Sequence, residues 1–319
     1  MKYGNIPGVT KPVSRLVQGT LMGGSAELEK TFAMYDGFFE TGCNTFDTGH
    51  VYGNGDNERT VGRWVRERGI RNKVVIIGKG AHHNADRRRV TPFDITADIY
   101  DSLARFKFDY MDLYLLHRDD PNVPVGPIVE VLNEHHKAGR IHAFGGSNWT
   151  ASRIAEANAY ANARGLTPFV ASSPNYSLAE QIQEPWENCV SVGGPKHRDQ
   201  LEWYRKELIA VCCWSSLAAG FFSGRFNRTN VAENKDTLFM RCYYSEDNMR
   251  RLHRVEILAK EMGFSVPQIA LAYVVNQPMN LFPLVGCPNK EELQKNIAAL
   301  DIKLTEKELA WLDLRSEER

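Results

Sequence analysis

The sequence predicts an α/β fold: a single (β/α)8 TIM barrel over residues 1–319, with an N-terminal β-hairpin and long loops on the C-terminal face. Three observations carry that prediction. Short apolar, β-branched segments alternate with amphipathic stretches, and eight of them start at residues 15, 44, 74, 112, 141, 169, 208 and 281. Most neighbouring starts are about thirty residues apart, the length of one strand–helix unit. Eight such units in strict alternation close a parallel barrel.

The elements follow in chain order. MKYGNIPGVTKPV (1–13) reads as a hairpin plugging the N-terminal end of the barrel, and RLVQG (15–19) as the first strand. From Glu27 to Glu40, Leu28, Phe32, Tyr35 and Phe39 share one face, at helical spacing. NTFD (44–47) and VVIIGK (74–79) are the next strands. Thr91-Pro92 opens a helix and places Asp94 in its first turn, where a carboxylate suits the helix dipole. DLYLLH (112–117) precedes a helix that starts after Pro124 and ends at Ala138-Gly139. IHAFG (141–145) leads to a helix over Ala151 to Arg164, capped by Thr150 and closed by Gly165. FVASS (169–173) is followed by a loop over 184–197, marked by Pro185, Gly193, Gly194 and Pro195. After LIAVCCW (208–214), residues 220–262 read as the main insertion, with a mobile loop around Gly220, Gly224 and the polar run 227–236. LFPLVG (281–286) completes the staves, and Thr305-x-x-Glu308 is a capping box before a last helix.

Composition limits the function. Lys+Arg and Asp+Glu number 39 each, so no basic excess favours nucleic acid or anionic lipid as partner. Hydrophobic residues at 43% and charged residues at 24% are ordinary globular values. The apolar runs are too short to span a bilayer, and the N-terminus lacks the apolar stretch of a secretory signal. Six cysteines contain no C-x-x-C pair, which predicts buried, reduced thiols and a cytoplasmic location. The sequons at Asn148, Asn175 and Asn227 then read as chance matches.

In such barrels, polar residues at the C-terminal ends of strands carry chemistry. Here Asp47, Lys79 and His117 end three successive strands, and Tyr52 lies in the loop after Asp47. Singly, each has a plain structural explanation: an ion pair, an interior histidine, a packing tyrosine. Together they make a proton-transfer site. A phenol titrates near 10, and a neighbouring ammonium would bring it to about 7, a change of roughly 4 kcal/mol. Asp47 would keep Lys79 charged, and His117 would direct a carbonyl oxygen. His82-His83 and His135-His136 lack the spacing of a metal site, so no metal is predicted.

GCNTFDTGHVYGNGDNE (42–58), VVIIGKG (74–80), MDLYLLHRDDP (111–121), HAFGGSNW (142–149) and VGCPNKEELQKNIAAL (285–300) together resemble the aldo-keto reductase family. That resemblance implies a catalytic tetrad of Asp47, Tyr52, Lys79 and His117. It implies NAD(P)H-dependent carbonyl reduction, or the reverse alcohol oxidation, with Tyr52 protonating the oxygen. No G-x-G-x-x-G fingerprint is present, and the family does without one. By the same resemblance Gly19, Thr20 and Leu21 border the nicotinamide ribose, and Ser147 and Asn148 bond the carboxamide. Ser173 stands where the family usually has glutamine. Trp214 stacks on the nicotinamide, Ser215, Leu217 and Gly220 begin the pyrophosphate loop, and Cys287, Glu292 and Asn296 belong to the adenosine end. Relatives that use NADPH often carry basic residues where this chain has Glu292, Pro288 and Gly286. NAD(H) is therefore expected, with NADP(H) as the alternative should Lys290 or Lys295 meet the phosphate.

His82, Arg118, Trp149 and Trp186, beside Tyr52 and His117, suggest a sugar, glycoside or other polyol as substrate. Two other readings stand beside the reductase. One is a metal-dependent barrel hydrolase using Asp47, His117 and His82. The other is a cofactor-binding regulatory or channel-associated subunit without turnover. The expected partner is a small-molecule carbonyl or alcohol, with a homo-oligomer open.

Overall fold

The predicted staves form and pair in sequence order. The structure, a computed structural model, describes residues 1–226 and 237–319, and Phe239 through its backbone only. The loop expected at 227–236 lies outside the described residues. The strands are β1 (Tyr3–Gly4), β2 (Val13–Ser14), β3 (Val17–Gly19), β4 (Thr45–Asp47), β5 (Val75–Gly80), β6 (Leu113–Leu116), β7 (Phe144–Ser147), β8 (Ala171–Ser173), β9 (Ala210–Val211), β10 (Asn280–Leu281) and β11 (Leu284–Val285). From β3 to β9 each strand pairs in parallel with the next.

The eighth stave comes in two halves. β10 pairs with β9 and β11 pairs with β3, so the segment 280–285 joins the last strand to the first. Pro283 explains the break, because it has no N–H to give the ladder. Its carbonyl still accepts from Val17 N at 3.0 Å, while Phe282 N donates to Val211 O at 2.8 Å.

Strand pleating sorts the side chains, since alternate residues face opposite sides. Val17, Val75, Ile77, Leu113, Leu115, Ala143, Ala171, Ala210, Cys212 and Phe282 pack together as the barrel interior, with Ile6, Val9 and Val13 of the hairpin region beneath them. β1 and β2 form the predicted antiparallel hairpin, and it closes the lower end. The opposite parity, including Phe46, Ile76, Tyr114, Leu116 and Phe144, packs outward against the helices.

Helix signals mostly held. α1 (Leu28–Glu40) buries Phe32 and Tyr35, and also Phe38. α2 (Asp56–Glu67) follows β4. Thr91 caps α3 (Pro92–Phe106) through Asp94 N, and Thr150 caps α5 (Ala151–Ala163) through Arg153 N. Between them α4 spans Val125–Lys137, and α6 spans Arg198–Glu207.

Two readings need correction. The fifth strand starts at Phe144 rather than residue 141, where Ile141 makes only an isolated bridge with Met111. The insertion over 220–262 is no simple loop. Its described second half contains α7 (Leu238–Tyr243) and α8 (Glu246–Met262). Ser245 caps α8, which buries Leu252, Val255 and Leu258. α9 (Val266–Val275), α10 (Lys290–Ile297) and α11 (Glu306–Leu312) complete the chain, α11 with the predicted Thr305–Glu308 capping box. All six cysteines are free and buried. Among the described residues, no helix is long and apolar enough to cross a membrane.

Candidate active site

The pleat that buries Val75 and Ile77 inside the barrel also turns Lys79 inward, one layer nearer the C-terminal mouth. The same parity carries Asp47, His117, Ser147 and Ser173 inward, so the predicted polar residues form a layer on top of an apolar core. The ladder sets their heights: Gly19 is opposite Asp47, Asp47 opposite Ile77, and Ser147 opposite Ser173. Tyr52 enters from the β4 loop, where Gly53 and Gly55 take positive φ of 54° and 85° to make the tight turn into α2.

Lys79 Nζ donates to Asp47 Oδ1, and both side chains are almost wholly buried. The ammonium lies 5.2 Å from the centre of the Tyr52 ring. The Tyr52 and His117 rings meet edge to face at 5.6 Å. His82 meets His117 in the same way at 4.8 Å. The tetrad therefore assembles.

The electrostatics revise one expectation. Burial raises the Tyr52 pKa, Lys79 pulls it down, Asp47 pushes it up, and the result is above the ordinary phenol value. It does not fall towards neutrality, because the desolvation cost of a phenolate outweighs one paired ammonium. Burial opposes the Lys79 charge, but Asp47 and Tyr52 more than offset it, and Lys79 remains a cation. Burial, then the cations Lys79 and Arg118, push His117 well below its ordinary value. His117 is thus neutral at pH 7, a hydrogen-bond donor through one ring nitrogen only.

Beside the tetrad runs a cleft of about 580 Å³. Gly19, Thr20, Leu21, Asp47 and Tyr52 line one stretch of it; Ser215, Leu217 and Gly220 line another; Cys287, Glu292 and Asn296 line the far end. Sequence reasoning missed Met22, Ser223, Arg225, Phe226 and Thr237, which also line it. The last four come from the segment after β9, where no periodic signal announces which residues turn inward.

The remaining predicted contacts lie outside that cleft's lining. Ser147 Oγ donates to Ser173 O at 3.1 Å. Asn148 Nδ2 donates to Ser147 Oγ at 3.2 Å, and Asn148 Oδ1 accepts from Val190 N at 3.2 Å. These amide and hydroxyl groups hold the 184–197 loop to the barrel mouth. Trp214 is half-buried with its indole nitrogen unpartnered, and the exposed Trp186 stands 6.2 Å from it.

Trp149 requires correction as a substrate contact. It is 0% exposed, packs against Phe169, and donates its indole N–H to Arg118 O at 3.1 Å. It can position Arg118 but cannot touch a ligand. The hydrolase set is also not assembled. Among the described residues, the group near enough to share an ion is His50, Asp98 and Asp101, not Asp47, His117 and His82. Lys290, one of the two lysines expected to meet a 2′-phosphate, pairs with Glu40 at 2.6 Å.

A closed parallel barrel with a buried Asp–Lys pair, a tyrosine and a neutral histidine at its C-terminal mouth defines a barrel oxidoreductase. The chain belongs to the Aldo/keto reductase family, whose sequence profile matches residues 15–315. It is 27% identical over 326 residues to "Uncharacterized oxidoreductase YrpG" of Bacillus subtilis (strain 168), covering 98% of this chain and 95% of the relative. It is 26% identical to "Probable voltage-gated potassium channel subunit beta" of Oryza sativa subsp. japonica, covering 95% and 92%. In fold it is similar to the thermostable aldo-keto reductase Tm1743, crystallised with the inhibitor epalrestat, at a TM-score of 0.76 and 21% identity over 99% of this chain and 100% of that one. Membership of an oxidoreductase family displaces the hydrolase alternative.

Proposed function

We propose that this protein reduces a carbonyl on a sugar, glycoside or other polyol-like molecule with a nicotinamide cofactor, NAD(H) in preference to NADP(H), and runs the reverse oxidation. One observation carries the reading: Asp47 and Tyr52 belong both to the assembled tetrad and to the wall of the long cleft. A proton donor and a cofactor-sized groove thus share a border.

The cleft residues fit such a cofactor. Thr20 Oγ1 and Asp47 Oδ2, on its wall, are buried without hydrogen-bond partners, and buried polar groups left in that state are costly unless something bonds them. Gly220 takes a φ of +97° at the mid-wall, where the backbone turns along the groove. Ser215, Leu217 and Arg225 would face the pyrophosphate, and Glu292 the adenosine ribose. Glu292 would repel a 2′-phosphate and accept bonds from free ribose hydroxyls, which supports NAD(H). When bound, the cofactor supplies the hydride. Tyr52, kept protonated by burial, donates its proton to the carbonyl oxygen. Lys79 stabilises the phenolate left behind, and Asp47 keeps Lys79 charged. Neutral His117 directs the oxygen through its single N–H. Trp214 would stack on the nicotinamide; Trp186 offers an apolar face to C–H edges, and His82 a hydrogen-bonding group, as a polyol needs. A cytoplasmic location follows from six free thiols as a further expectation.

The rice relative's name, a probable channel subunit, favours a second reading, a channel-associated subunit, which we take as cofactor-binding without turnover. Single-turnover mixing of the protein with NADH or NADPH and a carbonyl panel separates the two. Consumption of reduced cofactor by any carbonyl supports the enzyme. Tight cofactor binding with no consumption by any member of the panel overturns it.

A further inference from the structure

Among the described residues, buried charges come in pairs, with one exception. Asp47 has Lys79; Glu58 has Arg105; Asp94 and Asp98 have Arg89; Asp112 has Lys11 and Arg71; Arg251 has Asp313; Arg254 has Glu317. Arg118 is 8% exposed, and among the described residues it has no carboxylate at ion-pair distance. Its Nε has no partner at all, and one terminal nitrogen donates to His117 O at 3.1 Å. The two nearest acids in sequence are otherwise engaged: Asp119 faces Arg153 at 3.3 Å and Asp120 faces Arg88 at 3.5 Å.

An unpaired guanidinium in so dry a place is costly unless a ligand neutralises it. Its position says which ligand. One guanidinium nitrogen folds back on the backbone carbonyl of His117, whose ring meets Tyr52 edge to face, so the cation is anchored one residue from the tetrad. Its backbone is pinned, because Trp149 Nε1 holds the Arg118 carbonyl and Asn148 Nδ2 reaches the His117 carbonyl at 3.4 Å. The small gap it lines is shared with His83, Arg88, Arg89 and Asn188, and with one carboxylate, Asp119, which Arg153 engages.

We propose that Arg118 is a specificity-determining residue that binds an anionic group on the substrate, a carboxylate or a phosphate, a few atoms from the reacting carbon. The inference rests on the carbonyl-reductase reading and narrows its substrate from polyols to acidic or phosphorylated ones. Beside the larger effect of burial, the Arg118 charge reaches both Tyr52 and His117 and favours the deprotonated form of each. A bound anion would cancel that influence as it filled the site.

The test uses the intact protein with NADH and NADPH and matched substrates. D-glucose is compared with D-glucuronate and D-glucose 6-phosphate, and butanal with succinic semialdehyde. The expected result is a kcat/KM about 10- to 100-fold higher for a charged member than for its neutral match, the scale of a charge-assisted hydrogen bond. Glucuronate against the 6-phosphate tells carboxylate from phosphate. In Arg118→Met the charged-to-neutral ratio falls by about the same factor, and in Arg118→Lys it partly returns, since lysine keeps the charge without the fork. Thermal unfolding of Arg118→Met at or above the wild-type midpoint supports an unpaired cation, whereas a marked drop supports a structural ion pair and counts against the proposal. Equal or better turnover of the neutral members, or a ratio unchanged in Arg118→Met, overturns it and leaves the reductase reading standing. If no member and no simple aldehyde consumes reduced cofactor, the reductase reading itself falls, and this inference with it.

Discussion

Replacing Lys79 with methionine separates two roles of the buried pair. The side chains of Asp47 and Lys79 are only 3% and 4% exposed, and Asp47 Oδ2 already lacks a partner. Lys79→Met leaves a buried carboxyl without its counter-charge. Breaking a buried pair from one side costs about 3–5 kcal/mol, so the urea midpoint should fall by a corresponding amount. The pKa of Tyr52 should rise further, because Lys79 is the main influence pulling it down. Steady-state reduction should lose about 10²- to 10⁴-fold in kcat, the usual worth of a general acid. The double variant Lys79→Met/Asp47→Leu then provides the control. Exchanging both charges for packed apolar groups is often neutral or stabilising. Stability should therefore recover while activity stays lost. Equilibrium urea unfolding and initial-rate assays on the three proteins decide it. A single variant within tenfold of wild-type kcat refutes the Tyr52–Lys79 coupling. A double variant no more stable than the single one refutes the pairing argument.

Three further outcomes follow from the same geometry. Tyr52→Phe removes only the hydroxyl, so turnover should disappear while NADH still quenches tryptophan fluorescence with unchanged Kd; and because the wild-type phenol titrates above its ordinary value, reductive kcat/KM should stay level from about pH 6 to about pH 9. Glu292→Arg should shift the kcat/KM ratio towards NADPH by about tenfold or more, and an unchanged ratio would remove Glu292 from the adenosine end. His135 accepts from Arg140 Nε at 2.8 Å and lies 3.0 Å from Thr96 Oγ1, and burial plus Arg140 lower its pKa to about 4. The unfolded chain takes up a proton near the ordinary value of about 6.5 and the folded one does not. Stability should therefore decline as pH falls from about 6.5 towards about 4, with a shallower slope in His135→Gln, measured by urea unfolding at several pH values.

The tetrad was legible because strand parity and strand ends are both sequence properties. Once VVIIGK reads as a strand with Ile77 inside, Lys79 must also point inside, and its neighbours in the ladder follow. Capping signals worked for the same reason: Thr91, Thr150 and Thr305 act within one turn of themselves. What failed depended on distant chain. Trp149 looks like a pocket tryptophan until Phe169 and the Arg118 carbonyl bury it. The drop expected for Tyr52 counted one nearby charge and not the desolvation imposed by the whole barrel mouth. Arg118 resembles any arginine in sequence; only the surrounding atoms reveal that, among the described residues, no carboxylate pairs with it. Residues 237–262 were read as part of an insertion, because no strand follows them for some distance, although Ser245 and the apolar face of α8 were there to be seen.

The split stave at 280–285 has a consequence for biogenesis. Residues 17 and 284 are opposite each other in the ladder, almost the full chain apart. On a ribosome, β3 and β9 would therefore wait as open edges until the C-terminal segment emerged, and open edges invite wrong pairing. Contacts that bridge so long a loop form late and slow the search. The hairpin beneath the barrel stands as an early-made stopper for a ring that only residues 280–285 can seal.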